Sequence, residues 1–173
     1  MKSWLESLLI ALSMYSAIPV KCLNWTEKNL RNAMVLFPLV GLLCGVGLWL
    51  VWLVCGLLHV SSVLFGVLAV ASGVLITGGI HLDGFCDTAD ALCSRRPQEE
   101  KLRILKDPNC GPFAVFSVIL VLLVSFGSYV QLYQTQGRNV VWLLAGGFLL
   151  TRCLSGIAVT TLPVAPTSSL VKT

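Results

Sequence analysis

The run Thr77-Gly78-Gly79-Ile80-His81-Leu82-Asp83-Gly84-Phe85-Cys86-Asp87-Thr88-Ala89-Asp90 sets three carboxylates at the mouth of a long apolar segment. Wound as a helix, it puts Asp87 about 40° to one side of Asp83 and Asp90 about 20° to the other. Three ionised carboxylates on one narrow face repel, so some protonate or a cation sits among them. Oxygen-only ligands favour a hard ion such as Mg²⁺, which is usually held by one or two carboxylates plus substrate phosphates. The spacing points to metal-assisted chemistry on a phosphate-bearing substrate at a membrane surface. The plainer alternative is a solvated face paired with nearby arginines. Gly78, Gly79 and Gly84 weigh against it, because glycine lets backbone approach a ligand closely.

Four further residues carry chemical potential. His81, two residues before Asp83, is a candidate general base or phosphate contact; its rival role is a histidine snorkelling at the membrane boundary. Lys106 can neutralise a phosphate, and Asp107 can hold a metal or orient a nucleophile. The rival there is a surface pair ahead of a helix start, since Pro108, Gly111 and Pro112 make a tight turn. Arg152 lies within an apolar stretch, where a charge is costly and normally faces a cavity or partner. It can reach a substrate phosphate or an aspartate, with structural pairing as the alternative. Arg95, Arg96, Lys101 and Arg103 can attract an anionic nucleotide or serve only as positive-inside charges.

The elements that position these residues are membrane helices. The 173 residues are 56% hydrophobic and only 12% charged, with a mean hydropathy of +0.86. Soluble domains carry about 25% charged residues. The expected fold is all-α: one polytopic bundle of about four transmembrane helices plus an N-terminal interfacial helix. Residues 4–18 are too short to span and lie in the interface or against the bundle. A polar connector over 21–32 follows, in which Asn24 or Thr26 can cap a short surface helix. The spans are 33–58, kinked by Pro38 and with Gly41, Gly45 and Gly47 on a small-residue face; 60–80; 112–133; and 140–162. Residues 81–111 form the polar loop that carries the site, and residues 163–173 read as loop. No internal repeat and no removable signal peptide is expected.

Charge sets the topology. Four spans put Lys2, Lys21, Lys28, Arg31, Arg95, Arg96, Lys101, Arg103, Lys106 and Lys172 on one side and only Arg138 on the other. That asymmetry places the acidic segment in the cytoplasm. The net charge of +4, without a basic stripe interleaved with aromatics, fits positive-inside topology better than a nucleic-acid partner, and none is expected. The seven cysteines are odd in number and no close pair has zinc-site spacing. Cys86, Cys93 and Cys110 with His81 make a poor zinc set.

Residues 78–90 resemble the signature of the cobalamin synthase family, the adenosylcobinamide-GDP ribazoletransferases. Ile18-Pro19, Phe37-Pro38-Leu39-Val40-Gly41 and Lys106-Asp107 with Gly111 resemble further family elements in the same order, so the likeness runs from about residue 8 to about residue 163. It implies a multi-pass enzyme of the bacterial inner membrane that uses Mg²⁺. Such an enzyme joins adenosylcobinamide-GDP to α-ribazole or its 5′-phosphate and releases GMP, giving adenosylcobalamin or its 5′-phosphate. The resemblance implies metal binding by Asp83, Asp87 and Asp90, a base at His81 or Asp107, and substrate contacts from Gly78, Gly79, Gly84, Lys106 and Arg152. Its expected partners are the two substrates, the lipid bilayer, and a second copy or other enzymes of cobalamin assembly.

Three departures from the family pattern stand out. Pro108 follows Lys106-Asp107 where a small hydroxyl residue is usual. Thr151-Arg152 replaces Ser-Arg. The family's further spans and C-terminal Gly-Gly-x-Thr-Gly-Asp segment do not occur in these 173 residues, so a fragment is expected. Rival classes are a CDP-alcohol phosphotransferase, a carrier and a non-catalytic membrane subunit. The first expects Asp-x-x-Asp-Gly and a second pair of aspartates, whereas Asp87-x-x-Asp90 is followed by Ala91. The second expects acids at midplane depth and paired halves.

Overall fold

The computed structural model describes residues 2–21, 24–135 and 139–162, and these are helical throughout apart from their connections. Seven helices follow one another: α1 (Lys2–Tyr15), α2 (Glu27–Leu57), α3 (Ser62–Thr77), α4 (Ile80–Cys93), α5 (Gln98–Ile104), α6 (Pro112–Thr135) and α7 (Asn139–Thr161). Among them α2, α6 and α7 are long and apolar enough to cross a membrane, and α3 with α4 makes a fourth, bent candidate. The protein is a multi-pass membrane protein. Arg138 and the tail from 163 to 173, including Lys172, lie outside the described residues, as does Cys22.

Local chemistry explains the helix starts. Thr26 Oγ1 accepts the Asn29 N–H at 3.2 Å and opens α2, and Ser61 Oγ accepts the Leu64 N–H at 3.3 Å and opens α3. Each satisfies a backbone donor that the first turn of a helix leaves unpaired. α2 runs unbroken from Glu27 through the expected connector into the span and carries Pro38 inside it. The expected separate surface helix is the first turns of the span itself.

α1 is tucked against α2 rather than free. Ile10, Ala11 and Ala33 are buried together, and Asn29 ties the two helices by donating to Glu6 Oε2 at 3.0 Å while accepting from Ser3 Oγ at 2.9 Å. α2 also packs along α7, and α3 along α6. A second core joins Leu48 and Cys55 of α2 to Phe65 and Ala69 of α3. By contrast Leu120, Val124, Leu143 and Leu154 on α6 and α7 are exposed, as side chains facing lipid tails are.

The α2–α7 contact is close because glycine makes it so. A Cβ on Gly41 would collide with the Phe148 carbonyl, and one on Gly45 would fall 2.9 Å from the Ala145 Cβ. Going up one helix while going down the other, these contacts fix an antiparallel register. They also show that the small-residue face read from the sequence is a packing surface.

Candidate active site

α3 and α4 meet at a corner. Gly78 (φ 64°) and Gly79 (φ 78°) are both left-handed, and the helices turn by 92° across them. Side chains rarely tolerate that conformation, and glycine does. Gly78 also has the Ala17 Cβ 3.3 Å from where its own Cβ would stand. The Ala17 N–H donates to the Ile76 carbonyl at 2.9 Å, so the segment after α1 braces the corner. The expected single span over 60–80 therefore ends at Thr77. The expected loop over 81–111 contains two helices, α4 and α5.

An open cleft of about 580 Å³ lies at this corner, lined by Gly78, Gly79, Ile80, Leu82, Asp83 and Cys86. Asp83 is exposed and Asp87, one turn on, is half-buried. Neither has an ion-pair partner among the described residues, where the one salt bridge joins exposed Arg96 to Glu100 at 3.5 Å. Gly84 sits in mid-helix facing open space and does not line the cleft.

Asp90 has a different position. It is 9% exposed; its Oδ2 accepts the Gly111 N–H at 2.6 Å and its Oδ1 the Ala114 N–H at 2.8 Å. It caps the start of α6 from a neighbouring helix, where a negative charge also suits the helix dipole. The three aspartates share a face, as their spacing requires. A rise of 1.5 Å per residue nevertheless separates Asp83 from Asp90 by about 10 Å along the axis. Among the described residues no group of three or more His, Cys, Asp or Glu converges as a metal site.

His81 is not beside Asp83. Two residues on a helix are about 200° apart, so the histidine faces the opposite side of α4. There its ring lies 5.9 Å from Phe37 and 6.5 Å from Tyr15, nearly parallel to the latter at 8°. Tyr15 and Phe37 also meet each other, with ring centroids 4.5 Å apart, and lie beside or within the Ile18-Pro19 and Phe37-Pro38 elements.

Arg152 is half-buried on α7, and its Nη1 donates to Thr151 Oγ1 at 3.3 Å. Lys106 and Asp107 are exposed in the turn after α5 and are not among the residues that line the cleft. Asp107 Oδ1 accepts the Asn109 backbone N–H at 2.9 Å and its side-chain amide at 2.8 Å. These two bonds hold the carboxyl below the usual carboxylate range.

Residues 7–173 match the family model of cobalamin-5-phosphate synthase. The adenosylcobinamide-GDP ribazoletransferase of Lachnoclostridium phytofermentans is 39% identical over 170 residues, covering 98% of this chain and 64% of that protein. A protein of the same name from Clostridium botulinum strain Eklund 17B is 41% identical over 128 residues, covering 74% of this chain and 51% of its own length. One from Pseudomonas fluorescens strain Pf-5 is 40% identical over 129 residues, with 73% and 52% covered. The chain thus spans between 51% and 64% of the length of these relatives. No solved structure matches it.

Proposed function

The chain belongs to the cobalamin-5-phosphate synthase family, and on that premise we propose that it joins adenosylcobinamide-GDP to α-ribazole or its 5′-phosphate. The ribazole hydroxyl attacks the phosphorus that bears the cobinamide. One P–O bond forms, the anhydride P–O bond breaks, GMP departs and the hydroxyl loses its proton. The observation that carries this reading is the glycine corner with Asp83 in its cleft and Asp87 one turn behind, both without ion-pair partners among the described residues.

Two free carboxylates fit a hard cation better than three would, because Mg²⁺ usually takes one or two from protein and the rest from phosphate and water. Asp83 and Asp87 would hold it, and Asp90 would fix the helix that carries them. Bound there, Mg²⁺ supplies charge neutralisation for the diphosphate and its leaving group. Gly78 and Gly79 leave the cleft wall without side chains, so the diphosphate can lie against backbone. Lys106 offers a cation to the phosphates. Asp107, ionised throughout the neutral range, orients the attacking hydroxyl and takes its proton late, as a loose phosphoryl-transfer transition state allows. The acidic segment faces the cytoplasm of the bacterial inner membrane.

GMP release by the lipid-embedded protein, given both substrates, tests the proposal. Mg²⁺-dependent release with formation of the cobalamin product is expected, lost on chelation. Silence here, alongside activity of a full-length relative, would show that this chain alone is insufficient; silence from both would sink the assignment.

A further inference from the structure

The His81 face of α4 is built differently from its cleft face. On α2 and α7 the antiparallel contacts run Gly45 to Ala145 and Gly41 to Phe148. One further turn in the same direction brings Phe37 level with Arg152. Phe37 is the residue whose ring meets His81 at 5.9 Å. Tyr15 ending α1, Phe37 on α2 and His81 opening α4 meet through their rings, and the α2–α7 register sets Arg152 of α7 at the level of Phe37.

Both nitrogens at this convergence are unsatisfied. His81 Nε2 and Arg152 Nε are buried without a hydrogen-bond partner among the described residues. No described carboxylate pairs with Arg152. An unpaired buried donor is destabilising, and an unpaired buried charge more so. Two such groups on different helices are not explained by packing. An anion with several oxygen acceptors satisfies both, and a tetrahedral phosphate does so from two directions, where a planar carboxylate suits one fork.

We infer that His81 Nε2 and Arg152 Nε form a phosphate-binding pair on the face of α4 opposite the Asp83 cleft. Arg152 supplies the charge and the imidazole donates from Nε2. The two faces are separated by the thickness of one helix, about 10 Å with side chains. The pair thus holds a phosphate other than one coordinated at Asp83. Only the source of that phosphate rests on the proposed reaction: it is either the nucleotide's or the 5′-phosphate of the acceptor.

The test uses the full chain in lipid nanodiscs with chelator present, so that carboxylate-held metal cannot contribute. Binding of inorganic phosphate is read by ³¹P NMR, with ¹⁵N-labelled histidine reporting on His81. Wild type is expected to bind phosphate and shift the His81 Nε2 resonance. Arg152→Gln and His81→Phe should each weaken binding at least tenfold, and Asp83→Asn should bind as wild type does. Competition by α-ribazole 5′-phosphate but not α-ribazole assigns the pair to the acceptor; competition by GMP assigns it to the donor. No binding by wild type, or equal binding by both variants, overturns the pair. Should Arg152→Gln not fold, an unmoved His81 resonance in phosphate-saturated wild type overturns it equally. Phosphate binding by this chain, when neither it nor a full-length relative releases GMP, would instead sink the proposed reaction and leave the pair standing.

Discussion

The Asp90 carboxylate receives the Gly111 backbone N–H at 2.6 Å, and a methyl group on Gly111 would stand 2.7 Å from one of its oxygens. Helix α4 and the start of α6 are thereby locked together through a contact that admits neither a neutral nor a larger group. Asp90→Asn should cost about 1–3 kcal/mol, since it weakens two charge-assisted bonds and turns an amide toward a donor. Gly111→Ala should cost a similar amount by overpacking. Thermal unfolding in detergent should fall by several degrees for either, with Mg²⁺ affinity little changed. A loss of Mg²⁺ affinity at unchanged stability would instead make Asp90 a ligand.

Asp83→Asn and Asp87→Asn should behave the other way. Each leaves folding within about 0.5 kcal/mol, as exposed or half-buried substitutions generally do. Each should lower GMP release by about a hundredfold or more, because charge neutralisation of a diphosphate is worth several kcal/mol. Titration of Mn²⁺ by paramagnetic broadening checks the metal directly. Unaltered turnover in Asp83→Asn would remove the metal role.

The corner makes a separate claim. Gly79→Ala places a side chain at φ 78° with open space around it, so its cost is conformational alone, about 1–2 kcal/mol. Gly79→Asn should cost less, since asparagine visits that region. Gly78→Ala adds the close approach of Ala17 and should be the most damaging of the three. Urea titrations of the three variants would rank them, and an order with Gly79→Ala worst would contradict the brace from Ala17.

Asp107 carries a pH signature. Its carboxyl is held low by Asn109, so it stays charged further into acid than an ordinary aspartate. What that charge contributes is complete above the ordinary carboxylate range and is lost only as pH falls through the lowered value. Asn109→Ala removes the side-chain bond, so the acid limb of the pH–rate profile should move to higher pH. Carbon-13 titration of the Asp107 carboxyl gives the same answer without turnover.

Much of this was legible in the sequence, for identifiable reasons. The span expected over 112–133 is α6, Pro112–Thr135, and that over 140–162 is α7, Asn139–Thr161, because proline and polar residues bound uninterrupted apolar runs. Thr26, one of the two expected caps, does open a helix, but the continuity of that helix into the span was not legible: Glu27, Lys28 and Arg31 look like a connector, although a helix protruding from a bilayer carries such charges. Hydropathy likewise runs smoothly past Gly78 and Gly79, so the corner was hidden although two adjacent glycines announced it. The shared face of the aspartates followed from helical period. That Asp90 is claimed by α6 depends on a helix starting 22 residues later, which no local pattern contains. The opposite orientation of His81 follows from the same period.

The glycine seam between α2 and α7 carries a consequence for biosynthesis. Gly41 emerges roughly a hundred residues before Phe148, which at about 5–20 residues per second is on the order of 5–20 s. For that interval α2 sits in the translocation machinery or the bilayer with its notch unfilled. The Tyr15–Phe37–His81 cluster likewise waits for Arg152. Helix α7 is thus the one that fills the notch, and slowing or stalling synthesis before residue 148 would leave α2 inserted with that face uncovered.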